Sequence, residues 1–308
     1  MSGDAQSSYE KGIKPPISIE SRFRRFVVDY ADNKVAVVAL FIFLSTIMLA
    51  IFAPWISPQN PYDLAQINII DGRLPPGSQG KSGMTHWLGT DDQGRDLLSG
   101  IFFGLRISLA VGVVSNLIAL LIGLVLGLIA AYFRGRTGSL IMRIVDLQMS
   151  FPAILIALIL LAVLGRGMEK VILALIVTQW ARFARVVYAT GLGEREKEYI
   201  EAAKCLALSR TRIIFRHLLP NCLPPLIVVG SVTVALSIGL EATLSFLGVG
   251  LPITEPSLGL LISNGFQFML SGLYWISFFP GMALLIAVGS LNLVTDQLRD
   301  VLNPRLQK

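Results

Sequence analysis

Between Val35 and Ile56 the chain carries no Asp, Glu, Lys or Arg. An apolar run of about 20 residues, coiled as an α-helix, matches the ~30 Å hydrocarbon core of a bilayer. In lipid every backbone N–H and C=O must be satisfied within the structure, so runs of this length fold as helices. Further apolar runs cover 101–133, 144–164, 171–190, 224–247 and 275–294. The chain is therefore expected to be an all-α polytopic membrane protein with six transmembrane helices. Its charge content agrees, since only 15% of the 308 residues are charged, against roughly 25% in soluble domains.

These runs divide the chain. Residues 1–33 read as a cytoplasmic N-terminal tail, ending in an interfacial turn where Arg22, Arg24 and Arg25 alternate with Phe23 and Phe26. No signal peptide is expected, because no small-residue cleavage site follows the first apolar run. Residues 34–56 form the first transmembrane helix and 57–100 a periplasmic segment. Residues 101–296 form a five-helix core containing a polar cytoplasmic loop at 192–221, and 297–308 a cytoplasmic tail. The third span has Pro152 inside it, a place where a helix can kink. The Gly- and Pro-punctuated segment from Gly248 to Tyr274 either re-enters the membrane or lies on its surface.

Charge sets the orientation. With both termini inside, the inner segments carry 20 of the 26 Lys and Arg residues, including Arg134, Arg136, Arg182, Arg185, Lys204, Arg216 and Arg299. The outer set is Arg73, Lys81, Arg95, Arg106, Arg166 and Lys170. This is the positive-inside bias. It accounts for the formal net charge of +6 without a nucleic-acid partner.

Several chemistries are excluded. Gly80-Lys81-Ser82 imitates the end of a phosphate-binding loop, but Pro75 stands where the first glycine belongs. The chain therefore has no ATP site of its own. The two histidines, His86 and His217, fall on opposite sides, so no catalytic constellation forms. Cys205 and Cys222 lack the spacing of a disulfide framework or metal site, and no metal or other cofactor is expected in this chain. An ion-coupled carrier or channel subunit would place carboxylates near the membrane midplane. Asp146, Glu241 and Asp296 fall near span ends instead, which disfavours that alternative. Gly123 and Gly127, four apart in the second span, allow close helix approach, either within the chain or at a subunit seam.

One long stretch inside the core is not apolar. Glu194 to Asn221 is polar, basic and helix-forming. It reads as a first helix from Glu198 to about Ser209 and a second from Thr211 to about Leu219, ended by Pro220. Ile200, Ala203 and Ala207 share one face, while Glu201 and Lys204 can pair on another. Ala202-Ala203 leaves a smooth surface on which another protein can sit closely.

The order of residues here, EYIEAAKCLALSRTRIIFRHLLPN, resembles the EAA loop of ABC-importer permeases. Glu201, Ala202 and Ala203 match its Glu-Ala-Ala, and Leu219 and Pro220 its closing Leu-Pro. Ala207 stands where the family usually has Gly. Four further segments resemble the dipeptide, oligopeptide and nickel branch. They are HWLGTDDQGRDLLSG ending at Gly100, IMRIVDLQMSFPAILIAL from Ile141, EATLSFLGVGLPITEPSLG from Glu241, and LRDVLNPRL from Leu298.

The resemblance implies a transmembrane permease subunit of an ATP-driven, binding-protein-dependent importer in the bacterial inner membrane. It implies a type I importer fold and transport of di- or oligopeptides or a related small solute. The implied partners are a homologous second permease subunit forming a heterodimer, two ATPase subunits that bind the ATP and Mg, and a periplasmic or lipid-anchored solute-binding protein. It further implies a coupling helix that docks an ATPase through Glu201, Ala202, Ala203, Lys204, Ala207, Leu208, Arg216, Leu219 and Pro220. An outer motif comprises Gly89, Thr90, Asp91, Gly94, Arg95 and Asp96. From the residues themselves, Asp146, Pro152 and Glu241 are candidates for a role in the pathway or its conformational change.

Overall fold

The structure, a computed structural model, describes residue 24 and residues 27–63 and 65–302. Most of the expected N-terminal tail and the last six residues lie outside the described residues. Helix α1, Lys34–Ile56, is capped by Asn33, whose Oδ1 accepts from the backbone N–H of Val35 and Ala36. Its buried stripe is small: Ala36, Ala39, Ala50 and Ala53 with Thr46. That stripe lets it lie close against two longer helices, α2 (Leu97–Phe133) and α10 (Trp275–Leu302).

An irregular segment follows α1. It holds a short antiparallel pair, β1 (Ser78–Gln79) and β2 (Thr85–His86). Helix α2 is 37 residues long, about 55 Å by helical rise, so it projects well beyond a ~30 Å hydrocarbon core. After α2 come α3 (Gly135–Met149), α4 (Ala153–Leu164) and α5 (Met168–Arg195). The polar stretch contributes α6 (Glu198–Cys205), α7 (Arg210–Ile213) and a π turn, Ile214–Leu218. Then come α8 (Leu219–Phe246), α9 (Leu258–Phe266) and α10. Among the described residues, five helical stretches are long and apolar enough to cross a membrane; the bent pair α3–α4 makes six when counted as one span.

Four expectations change. The third span is broken rather than kinked: α3 and α4 meet at 86°, because Pro152 sits at the N-cap of α4 with extended backbone. The first helix of the polar stretch stops at Cys205, four residues early. Pro220 ends nothing: α7, the π turn and α8 run on as one 37-residue helix, Arg210–Phe246. A proline inside a helix lacks an N–H and crowds the carbonyl four residues back; the wider π turn just before Pro220 supplies room for it. Finally, α10 continues to Leu302, so the expected tail is partly helical.

The glycine pair in α2 seats α5. A Cβ on Gly123 would stand 2.5 Å from the Phe183 Cβ, and one on Gly127 2.6 Å from the Val187 Cβ. The pair therefore serves a seam within the chain. Helix α9 is likewise held by close approach: a Cβ on Gly259 would meet the Ala242 carbonyl of α8 at 2.2 Å. The Gly248–Tyr274 segment is thus packed through α9 against α8 and α10.

Candidate functional site

The polar stretch folds as a bracket pinned to the core. On α6, Ile200 and Ala203 point inward and are buried. They join Phe183 and Val187 of α5, Leu128 of α2, and Ile213, Leu218, Cys222 and Leu226 of the following helix in one apolar cluster. Glu201, Ala202, Lys204, Cys205 and Leu206 are exposed. Ala203 is therefore corrected from a partner contact to an anchor, while Glu201 and Ala202 form the open edge. Leu206 adds an apolar knob to that edge, 74% exposed. Arg216 and Pro220 are exposed; Leu208 and Leu219 are half-buried against the cluster.

The bend after α6 is a Schellman turn. Ala207 takes φ +52°, its N–H donates to the Lys204 carbonyl at 2.9 Å, and the Leu208 N–H donates to the Ala203 carbonyl at 3.1 Å. Ala207 has thus left the helical face it was expected to share with Ile200. It adopts the left-handed conformation that favours glycine, and the sharp bend is made regardless. Ser209 then starts α7, its Oγ accepting from the Arg212 N–H at 3.4 Å.

Four polar side chains tie the bracket together. The Tyr199 hydroxyl donates to Glu194 Oε2 at 2.6 Å and accepts from Asn221 Nδ2 at 3.0 Å, and Asn221 Nδ2 also donates to the His217 carbonyl. Lys197 Nζ reaches the other Glu194 oxygen at 2.5 Å. Burial, and then the bond to Glu194, push the Tyr199 phenol up to about 12, so it remains a donor throughout the physiological range. Sequence spacing gave no sign of this network, since Tyr199 and Asn221 are 22 positions apart.

At the other end of α2 the outer motif forms a buried polar knot. Asp96 caps α2: its Oδ2 accepts from the Ser99 N–H and hydroxyl at 2.8 and 2.7 Å. Its Oδ1 faces His86 Nδ1 at 3.0 Å. Arg95 Nε donates to Asp91 Oδ2 at 2.7 Å, and its Nη1 reaches the Ile253 carbonyl at 3.2 Å. The Thr90 hydroxyl donates to the Asp71 carbonyl. Gly89 and Gly94 both take positive φ, and a Cβ on Gly94 would stand 2.1 Å from the Asn68 carbonyl. Thr90, Asp91, Arg95 and Asp96 are all buried, so these side chains hold the 57–96 segment to the spans and present no face to a partner. Burial, and then neighbouring Asp91, raise the Asp92 carboxyl above its usual range, while Arg95 pulls it down.

The three remaining candidates lie apart from one another. Asp146 is exposed in the last turn of α3 and its carboxylate pairs with Arg185 of α5. Pro152 marks the break before α4. Glu241 is fully buried and lines no vestibule. It accepts from Ser108 of α2 at 2.7 Å and Ser245 of its own helix at 2.8 Å, a clamp between α2 and α8.

The helical arrangement resembles that of a methionine ABC transporter, MetNI, solved in inward-facing conformations. In one crystal form the match has TM-score 0.54 and 22% identity, covering 67% of this chain and 96% of that one. In sequence, the dipeptide transport system permease protein DppC of Escherichia coli K12 is 37% identical over 304 residues, 99% of this chain and 100% of that protein. The oligopeptide transport system permease protein OppC of Bacillus subtilis is 34% identical over 306 residues, 99% and 95% of the two. Residues 21–76 match the N-terminal TM domain of oligopeptide transport permease C. Residues 123–308, which contain the polar bracket, match a second family along their whole length, and the chain belongs to it: the binding-protein-dependent transport system inner membrane components.

Proposed function

We propose that this chain is one half of the membrane pathway of an ATP-driven peptide importer, and that α6 is the element through which an ATPase moves it. As a transport-system permease of the inner membrane, the chain works with an ATPase and a solute-binding protein. The peptide assignment rests on the named relatives, which carry dipeptides or oligopeptides. The docking assignment rests on one observation: α6 is exposed along Glu201, Ala202 and Lys204, continued by Leu206 just past its end, and anchored by Ile200 and Ala203 on the other side.

The mechanism follows from that geometry. Packed interiors transmit displacement, because close-packed side chains have little free volume to absorb it. A pull on the exposed edge of α6 is carried by Ile200 and Ala203 into Phe183, Val187 and Leu128. Helices α2, α5 and α8 then move as a block. The Tyr199–Asn221 hydrogen bond keeps α6 from hinging away from α8 during the stroke. The positive-inside count supports an orientation with this bracket in the cytoplasm and the polar knot on the face to which the binding protein delivers solute. A second, homologous permease completes the pathway, and each permease takes one ATPase subunit.

The test is reconstitution with the second permease, the ATPase and the binding protein in proteoliposomes. Uptake of a labelled dipeptide should require both ATP and the binding protein. Uptake driven by an ion gradient without the ATPase would overturn this reading.

A further inference from the structure

A cavity of about 750 Å³ opens between α5, α8 and α10. Its wall is one stripe of α8, Pro225, Val228, Val229 and Val232, with Val186 of α5 facing it. Short β-branched side chains leave the groove unfilled. Two cations line it from opposite helices, Arg182 of α5 and Arg299 of α10, and no acidic residue is among its lining residues. Among the described residues, neither arginine has an ion-pair or side-chain hydrogen-bond partner. Arg182 is only half-exposed, so its charge is held partly out of water without a counter-ion. Ionisable groups within membrane spans face the bundle interior or a water-filled cavity and mark substrate pathways, and Arg182 lies midway along α5.

We propose that this groove binds the carried solute on its way through the permease, with Arg182 and Arg299 taking its free carboxylate and the valine stripe taking its apolar side chain. Guanidinium groups match a carboxylate by two parallel hydrogen bonds. The groove is large enough for a short peptide, since small-molecule sites run from about 300 to 1,000 Å³. The proposal rests on the peptide reading above and adds to it a specificity device inside the membrane subunit, separate from the solute-binding protein.

The experiment leaves the binding protein out. The permease–ATPase complex in nanodiscs is titrated with alanyl-phenylalanine and with its C-terminal amide. The free acid should bind more tightly, and Arg182→Gln and Arg299→Gln should each weaken it about tenfold, as expected for a lost charge-assisted hydrogen bond. Amide binding should be unchanged. Equal affinity for acid and amide, or free-acid binding indifferent to both substitutions, overturns the proposal. So does a double variant that loses co-purified phosphatidylglycerol, detected by native mass spectrometry, while its dipeptide affinity is unaltered; the groove would then hold lipid. Uptake in the presence of the binding protein separates the two readings. A wild-type complex that carries no peptide defeats the peptide assignment itself, whereas normal uptake with no arginine dependence defeats only this groove.

Discussion

Leu208 donates its backbone N–H to the Ala203 carbonyl at 3.1 Å, across an alanine held at φ +52°. The left-handed conformation costs a non-glycine residue roughly 1–2 kcal/mol. Ala207→Gly should therefore stabilise the bracket by about 1 kcal/mol. Thermal unfolding of the purified complex reads this as a higher Tm. A lower Tm would mean that the Ala207 methyl makes a favourable contact that outweighs its strain.

The two faces of α6 predict opposite phenotypes. Glu201 is exposed, so Glu201→Lys should leave folding intact while weakening ATPase association roughly tenfold or more by charge reversal at the docking edge. Ala203 is buried against Phe183 and its neighbours, so Ala203→Leu should overpack that cluster at a cost of about 1–3 kcal/mol. Co-purification with the ATPase and Tm of the permease separate the two effects. Loss of Tm in Glu201→Lys, with ATPase binding intact, would reverse the assignment of faces.

The spans were legible because lipid allows few backbone solutions, and a 22-residue uncharged run such as Val35–Ile56 has only one. The bracket was legible from composition and residue order. Its inner and outer faces were not, because Ala202 and Ala203 differ by one position and only tertiary packing decides which is buried. Pro220 misled for a similar reason: local chemistry stops helices at proline, and the π turn that lets this one continue leaves no mark in the sequence. The burial of the polar knot was not legible, because His86 reaches Asp96 from 10 positions away and the Ile253 carbonyl reaches Arg95 from 158.

Gly94 and Gly77 form a matched pair for testing the knot. Both have φ near +81°, but a Cβ on Gly77 meets nothing within 4 Å, whereas one on Gly94 would collide with the Asn68 carbonyl. Gly77→Ala should cost only the backbone term, about 1 kcal/mol. Gly94→Ala should cost more than about 2 kcal/mol, adding displacement of a rigid carbonyl to that strain. Limited proteolysis of the 57–96 segment should show rapid cleavage in Gly94→Ala alone. Equal protection in both variants would mean that the knot tolerates rearrangement.

Asp92 gives the 57–96 segment a pH dependence whose sign is fixed. Burial, then neighbouring Asp91, raise its carboxyl, with Arg95 opposing. The folded state therefore holds this proton more tightly than the unfolded state, and the ionised group is a liability above its raised pKa. Stability contributed by Asp92 increases as pH falls through the folded value and levels off below the ordinary carboxylate value. Asp92→Asn, which is neutral at all pH, should raise Tm at pH 7 to 8, and that gain should shrink as pH is lowered toward 4. One buried Asp92 oxygen has no hydrogen-bond partner in the wild type, so the substitution breaks no bond at that atom. A Tm difference that is constant with pH would show that Asp92 does not titrate differently on folding, and that the strain at this carboxylate is steric rather than electrostatic.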